Sequence, residues 1–203
     1  VQLGTPFRLS GKKVERELCP APRLGEHTDE VLKTLRAEVP KRQRIGRDGG
    51  RFVGSHGNVL KGPLVGLKVL DASQGGVGPW AGALIGAMGA DVVKLESPQG
   101  DFIHAVRPTQ KGLGTTYIVC NINKRGIVLN TKEESDRQKV HALIRQADVF
   151  IENFRVGTAE RIGLGYEELS KINPRLIYAS ACGYGRVGPL ANVGATDSHI
   201  QAF

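Results

Sequence analysis

A glycine-rich turn near the middle of the 203-residue chain holds the residues best suited to bind a phosphate. Gly76, Gly78 and Ala81 satisfy the pattern G-x-G-x-x-A, and Glu96 follows Gly76 by twenty residues. Glycines let the backbone approach a phosphate, a helix start favours an anion, and an acidic residue at this spacing can hold a ribose hydroxyl. Pro79 removes one N–H from the turn, which weakens this interpretation. The spacing leaves two interpretations open, a dinucleotide site or a tight turn that needs glycine for its shape.

Two other groups of polar residues suit acyl or phosphate chemistry. Asp197 is a candidate nucleophile or base, with a helix cap for Ser198–Phe203 as the alternative. Asn123, Lys124 and Arg125 lie between two predicted extended segments. An amide beside two cations can bind a phosphate or orient a carboxylate, although a solvated loop explains the same residues.

Positive charge is concentrated at the start of the chain. The net charge is +8, and residues 1–62 carry 13 Lys and Arg against 7 Asp and Glu. The basic run over 41–51 resembles a nucleic-acid patch in charge, but it lacks the aromatic residues on which bases stack. We therefore predict a basic, glycine-rich linker over residues 40–61 and no nucleic-acid partner.

Composition excludes several other classes of protein. No stretch approaches 18 consecutive apolar residues, so no membrane partner is expected. The three cysteines form no CxxC pair, and the five histidines show no metal-ligand spacing. We expect no metal site, no disulfide framework, and a cytoplasmic location.

The elements that must position these residues alternate between strand and helix. We predict a first helix that Thr28 caps, a later helix that opens at a capping box beginning with Thr131, and Glu167 on a solvent-facing helix surface. The other predicted strands, helices and extended runs are Leu67–Ala72, Gly78–Ala90, Asp91–Glu96, Tyr117–Asn121, Gly126–Asn130, Asp148–Glu152, Tyr166–Ile172 and Arg175–Ala181. Alternation at this spacing implies right-handed crossovers and a Rossmann-like α/β fold, a mostly parallel sheet with helices on both faces.

Residues 62–203 resemble the N-terminal part of the class III CoA-transferases, the CaiB/BaiF type that includes formyl-CoA and carnitine CoA-transferases. Six ordered blocks carry the resemblance, at 62–73, 78–101, 121–132, 147–169, 173–190 and 194–203. The resemblance implies an incomplete Rossmann-like large domain, because the family's small domain has no counterpart in this sequence. It also implies acyl-CoA and a carboxylic acid as substrates.

The resemblance assigns a role to each candidate residue. Asp197 falls where the family's aspartate attacks a donor acyl-CoA, giving a mixed anhydride and then an aspartyl-CoA thioester. Asn123 and Glu167 fall on positions that organise the active site, and Lys124 falls on a position that contacts CoA, with Arg125 as its neighbour. The turn at Gly76 and Gly78 then lies beside the bound CoA.

Four positions depart from the family pattern. Ala195 and Thr196 precede the nucleophile where glycine and tyrosine are common, and Ser97 replaces a frequent arginine. Gly76 stands where some members have a polar side chain. These differences leave the acyl group and part of the CoA contact open.

Residues 1–39 resemble the C-terminal end of the same family, so the order is tail first and head second. We interpret the chain as a piece that spans the junction of two tandem modules, with a split or permuted enzyme as the alternative. Either arrangement implies that the chain alone is a poor catalyst. Family members form interlocked dimers, so we expect a homodimer.

Three other functions stay open. An acyl-CoA racemase of the same fold family would need an acid/base partner, and His199 is too close in sequence to Asp197 to be nominated. An NAD(P)-dependent oxidoreductase would rest on the glycine turn and Glu96 alone. A non-catalytic remnant of a tandem enzyme is the third.

Overall fold

The computed structural model describes residues 19–35 and 62–202, with the backbone of four two-residue strands before residue 61. The first two, β1 (Arg8–Leu9) and β2 (Lys12–Lys13), pair antiparallel, as do β3 (Phe52–Val53) and β4 (Val59–Leu60). The β3–β4 pair falls within the predicted linker, most of which lies outside the described residues. The linker assignment stays a prediction.

A five-stranded parallel sheet forms the centre of the fold. Its strand order is β11-β10-β5-β6-β9, and every neighbouring pair in it is parallel. The strands are β5 (Lys68–Asp71), β6 (Asp91–Glu96), β9 (Lys124–Val128), β10 (Val149–Glu152) and β11 (Ile177–Ser180). A separate antiparallel pair joins β7 (Thr109–Gln110) to β8 (Leu113–Gly114). The predicted α/β fold with a mostly parallel sheet is confirmed.

Helices cover both faces of this sheet. They are α1 (Thr28–Thr34), α2 (Val77–Ala87), a 3₁₀ helix (Phe102–His104), α3 (Thr115–Cys120), α4 (Glu134–Gln146), α5 (Thr158–Arg161), α6 (Tyr166–Ile172) and α7 (Asp197–Gln201). Side chains alternate along each strand, so Leu70 and Val93 pack with α1, α4 and α6, while Val69 and Val92 pack with α2.

The extended run predicted over Tyr117–Asn121 is wrong, because Thr115–Cys120 forms α3. Its β-branched and aromatic residues favour a strand, but the tertiary contacts of Tyr117 decide otherwise. The Tyr117 ring is fully buried, and its hydroxyl donates a hydrogen bond to the Glu96 carboxylate at 3.2 Å. The next strand, β9, begins at Lys124, two residues before the predicted start.

Two predicted helix caps are also wrong. Helix α4 begins at Glu134, and no side chain caps it at Glu133. Instead, Asp136 Oδ2 accepts a hydrogen bond from the N–H of Asn130 at 2.8 Å, which fixes the chain before the helix. In α1, the Thr28 hydroxyl accepts from the N–H of Val128 and does not cap its own helix.

In the part of the chain that the structure describes, every helix is too short or too polar to cross a membrane.

Candidate functional site

The sheet reverses its direction of growth between β5 and β10. From β5 the chain crosses to β6 and β9 on one side, and then returns to β10 and β11 on the other. In open parallel sheets, ligands bind in the crevice at the carboxyl ends of the two strands that flank such a switch point. This rule places the crevice between residues 73–78, which we call the glycine turn, and residues 153–155, which follow β10.

Buried carboxylates hold the backbone of the glycine turn from beneath. The N–H of Ser73 donates to Asp71 Oδ1 at 3.0 Å, and the Ser73 hydroxyl donates to the same oxygen. The N–H of Gly75 donates to both carboxylate oxygens of Asp101, at 3.0 and 3.1 Å. Gly75 has φ +74°, a conformation that glycine adopts without strain.

Asn153, the first residue after β10, holds the turn from the side. Its Oδ1 accepts from the N–H of Gln74 and its Nδ2 donates to the Gln74 carbonyl, both at 2.7 Å. This paired contact ties the glycine turn to the strand across the crevice. Asn153 comes directly after a buried strand, where residues of ligand sites are common in parallel sheets, and this position is the sequence signal for its role.

The N–H groups of Ser73, Gln74 and Gly75 are therefore already used. Within the described residues, the N–H groups of Gly76, Val77 and Gly78 donate to no protein acceptor, and they surround the start of α2. A Cβ at Gly76 would meet no atom within 4 Å, so the space beside it is open. The turn can accept an anionic or carbonyl group here, on the exposed side of the crevice.

Glu96 does not face this opening. Its Oε1 accepts from the N–H of Asp101 at 2.9 Å and lies 2.8 Å from His104 Nε2, while Tyr117 donates to Oε2. The side chain is 1% exposed, and the His104 and Tyr117 rings stack beside it at 3.8 Å. Glu96 therefore has no exposed oxygen for a ribose hydroxyl, which removes the acidic residue on which a dinucleotide site depends.

Lys124 is enclosed beneath α2. Its Nζ donates to Asp71 Oδ2 at 2.7 Å, to Asn121 Oδ1 at 2.9 Å and to the Pro79 carbonyl at 2.7 Å. Burial by itself would raise the pKa of Asp71, but the ammonium groups of Lys124 and Lys94 hold that pKa below its usual range. A contact between Lys124 and CoA would require opening this ion pair, and the predicted contact stays a prediction.

Asn123 and Arg125 lie at the amino end of β9, opposite the end of the sheet that carries the glycine turn. Asn123 Oδ1 accepts from the N–H of Cys19 at 2.9 Å, and its buried Nδ2 finds no partner among the described residues. Arg125 binds Asp91 at 2.6 Å and Glu30 at 3.2 Å. The structure does not bring these two residues to the crevice.

Glu167 also stands apart from the glycine turn. It lies in the first turn of α6, is exposed, and sits on a helix that packs against α4. Its position agrees with a solvent-facing helix residue, and the role that the resemblance gives it stays a prediction.

Asp197 is the first residue of α7, at the end of the segment that follows β11. Thr196 precedes the helix, and its hydroxyl lies 2.7 Å from His199 Nδ1, so Asp197 does not occupy the cap position. The segment crosses back toward β10, because Arg186 binds the buried Glu152 at 3.2 Å. A Cβ on Gly194 would lie 3.0 Å from the Arg155 guanidinium. Asp197 is thus carried by a segment anchored at the same end of the sheet.

Sequence reasoning missed Lys94 and Asp101 as residues that shape the site. The available signal was Lys94, a charged residue inside an otherwise apolar strand, which has to be paired if the strand is buried. Among residues 19–35 and 62–202, no three His, Cys, Asp or Glu side chains converge as metal ligands would.

The fold defines an α/β protein with a parallel sheet and a topological switch point between β5 and β10. The chain belongs to CoA-transferase family III, whose family model matches residues 64–203. It is 43% identical to an acetyl-CoA:oxalate CoA-transferase of Acetobacter aceti over 144 residues, which cover 70% of this chain and 37% of that protein. It is 38% identical to the human succinyl-CoA:glutarate CoA-transferase over 164 residues, or 77% of this chain and 37% of that protein.

Solved structures agree with this assignment. A CaiB/BaiF family protein from Brucella suis superposes with a TM-score of 0.67 at 40% identity, covering 70% of this chain and 39% of the other. A hypothetical protein from Mycobacterium tuberculosis gives a TM-score of 0.63 at 35% identity, covering 68% and 38%. The chain spans well under half the length of the relatives that it matches.

Proposed function

We propose that this chain supplies the CoA-binding part of a CoA-transferase and that Asp197 is its covalent nucleophile. The family match carries the proposal, because it runs without interruption from β5 through Asp197. A crevice at the switch point, with free N–H groups at Gly76–Gly78, supports CoA binding at the glycine turn.

The proposed reaction moves CoA from an acyl donor to a carboxylic acid in four exchanges at carbonyl carbons. The Asp197 carboxylate attacks the donor thioester and expels CoA thiolate, which leaves a mixed anhydride. The thiolate attacks the aspartyl carbonyl and releases the donor acid, leaving an aspartyl-CoA thioester. The acceptor carboxylate expels the thiolate again, and the thiolate then attacks the acceptor's carbonyl and frees Asp197.

Support for a role in CoA binding differs among the other site residues. A role for Gly76 is supported by the open space beside it, whereas Gly78 packs against Ser73, where an added Cβ would clash with the Ser73 Cβ. The roles of Asn123, Lys124, Arg125 and Glu167 rest on the resemblance alone.

We propose that complete turnover requires more protein than this chain. The relatives are more than twice as long as the matched region. We assign most contacts that choose the acyl donor and acceptor to the unmatched remainder. A tandem enzyme, a split enzyme, or an interlocked homodimer would each supply that remainder.

Trapping of an activated Asp197 tests the proposal. The purified chain is incubated with succinyl-CoA or acetyl-CoA in the presence of hydroxylamine, and peptides are analysed by mass spectrometry. We expect a hydroxamate on Asp197 that requires the acyl-CoA, because hydroxylamine attacks both an aspartyl anhydride and an aspartyl thioester.

The Asp197→Asn variant is the control and is expected to give no hydroxamate at that position. A hydroxamate confined to other carboxylates would reject Asp197 as the nucleophile. Exchange of the substrate's α-proton without any trapping would favour an acyl-CoA racemase instead.

A further inference from the structure

A fully buried ion pair lies directly beneath the glycine turn. Lys94 Nζ and Asp101 Oδ2 are 3.0 Å apart, and both side chains are 0% exposed. Lys94 comes from the middle of β6, and Asp101 precedes the 3₁₀ helix. Burying two charges is costly, and an apolar pair often holds a core equally well, so a pair at this place needs a reason beyond packing.

The two side chains hold opposite ends of the turn. Lys94 Nζ donates to the Ser73 carbonyl, two residues after β5 ends, and Asp101 accepts the N–H of Gly75 with both oxygens. The same carboxylate accepts from the N–H of Ile103 at 3.2 Å. One ion pair therefore fixes the peptide groups on either side of Gln74, and the N–H of Gly76, which follows, donates to no protein acceptor among the described residues.

The charges of the pair also matter to an anionic ligand. Asp101 alone would place a negative charge under the N–H groups that such a ligand uses, and the Lys94 ammonium balances that charge at 3.0 Å. Neither side chain can touch a ligand, because both are enclosed. They can act only through the backbone that they hold.

We propose that Lys94 and Asp101 are positioning residues that set the conformation of the glycine turn for binding the CoA thioester. The inference rests on the proposed function for the identity of the ligand, but the effect of the pair on the conformation of the turn can be measured without any ligand. Because rigid backbone donors bind better than mobile ones, loosening the turn should weaken CoA binding.

The test is a double variant that removes both charges, Lys94→Met with Asp101→Leu. An apolar replacement of both partners leaves no unpaired charge, but the Ser73 carbonyl and the N–H groups of Gly75 and Ile103 lose their partners. The urea midpoint is therefore expected to fall, and exchange and binding are measured without urea, where the variant is folded. We expect amide hydrogen exchange at Gly75 to accelerate and the dissociation constant for CoA to rise about tenfold or more. The matched control is Lys139→Met with Asp136→Leu, which removes a Lys–Asp pair from α4 and should change neither quantity.

The outcomes separate the inference from the proposed function. Unchanged exchange at Gly75, or unchanged CoA affinity in a variant with faster exchange, would overturn the positioning role. Absence of CoA binding by the unmodified chain would reject the proposed function and with it the ligand named here. Asp101→Asn alone is a second variant: it keeps one acceptor for Gly75 but leaves Lys94 buried without its carboxylate, so faster exchange at Gly75 is expected in it as well.

Discussion

Glycine at position 82 leaves room for the buried ion pair between Asp71 and Lys124. A Cβ at Gly82 would lie 2.7 Å from Asp71 Oδ2 and 3.1 Å from Lys124 Nζ. Glycine inside a helix costs about 1 kcal/mol relative to alanine, so its presence in α2 needs a steric reason. That reason is the room required by Asp71 and Lys124, which the sequence alone did not connect.

Lys124→Met is expected to destabilise the fold. The substitution leaves Asp71 buried without its 2.7 Å partner, and breaking a buried pair by removing one member costs about 3–5 kcal/mol. Urea unfolding at neutral pH measures the loss. Because the Lys124 and Lys94 ammonium groups hold the pKa of Asp71 below its usual range in the folded chain, the pair stabilises at neutral pH and the effect is lost as the pH falls through the lowered folded pKa. The difference between wild type and variant should therefore shrink in acid.

Lys139→Met serves as the comparison, because it removes an exposed pair and should cost under about 1 kcal/mol. If Lys124→Met weakened CoA binding while leaving the unfolding free energy unchanged, Lys124 would be a direct CoA contact, as the resemblance implies.

The parallel sheet was predictable because its strands are short apolar runs separated by helical patterns. The misses occur where contacts distant in sequence decide the local structure. Thr115–Cys120 has strand-like residues yet forms α3 around the buried Tyr117. Likewise, the glycine pattern located the turn correctly. Glu96, the acidic residue at dinucleotide spacing, is buried and accepts a hydrogen bond from the N–H of Asp101, and it is Asp101 that binds the N–H of Gly75 in the turn.

The segment 19–35 covers β9, an edge strand of the sheet. The Cys19 carbonyl accepts from the N–H of Asn123 at 3.0 Å, and His27 exchanges hydrogen bonds with Gly126 at 2.8 and 3.1 Å. Val31 in α1 is 1% exposed and joins the larger apolar core. An unpaired edge invites pairing with other chains, so this segment closes one side of the fold.

Val31→Ala is expected to lower the free energy of unfolding by about 2 kcal/mol, because it removes two buried carbon groups at about 0.8 kcal/mol each and leaves a cavity. Urea unfolding measures the change. Leu24→Ala in the same segment is the control, since Leu24 is 43% exposed and should change stability by less than about 0.5 kcal/mol. Equally small effects at both positions would show that α1 is not part of the core.

The molecule leaves apolar residues uncovered on the side that carries Asp197. Val187 is 86% exposed and Val193 51%, and both lie in the segment between β11 and α7. At the β11 edge of the sheet, Ile177 is 61% exposed. Exposed apolar residues grouped along one region are typical of surfaces that pack against further protein. The match to only 37% of the curated relatives agrees with a site that needs more protein around it.

We therefore predict that the pure chain binds CoA but turns over poorly. A ligand stabilises the fold by about 2.7 kcal/mol at 100 times its dissociation constant, so CoA should raise the melting temperature while NAD should not. In the same preparation, acyl transfer to a carboxylic acid should not exceed the rate given by Asp197→Asn. The exposed segment before Asp197 gives the reason, because catalysis needs a nucleophile held within a closed site and free CoA retained after the first exchange. Rapid turnover by the chain alone would show that residues 62–202 already complete the site, and a stabilisation by NAD alone would return the glycine turn to the dinucleotide interpretation.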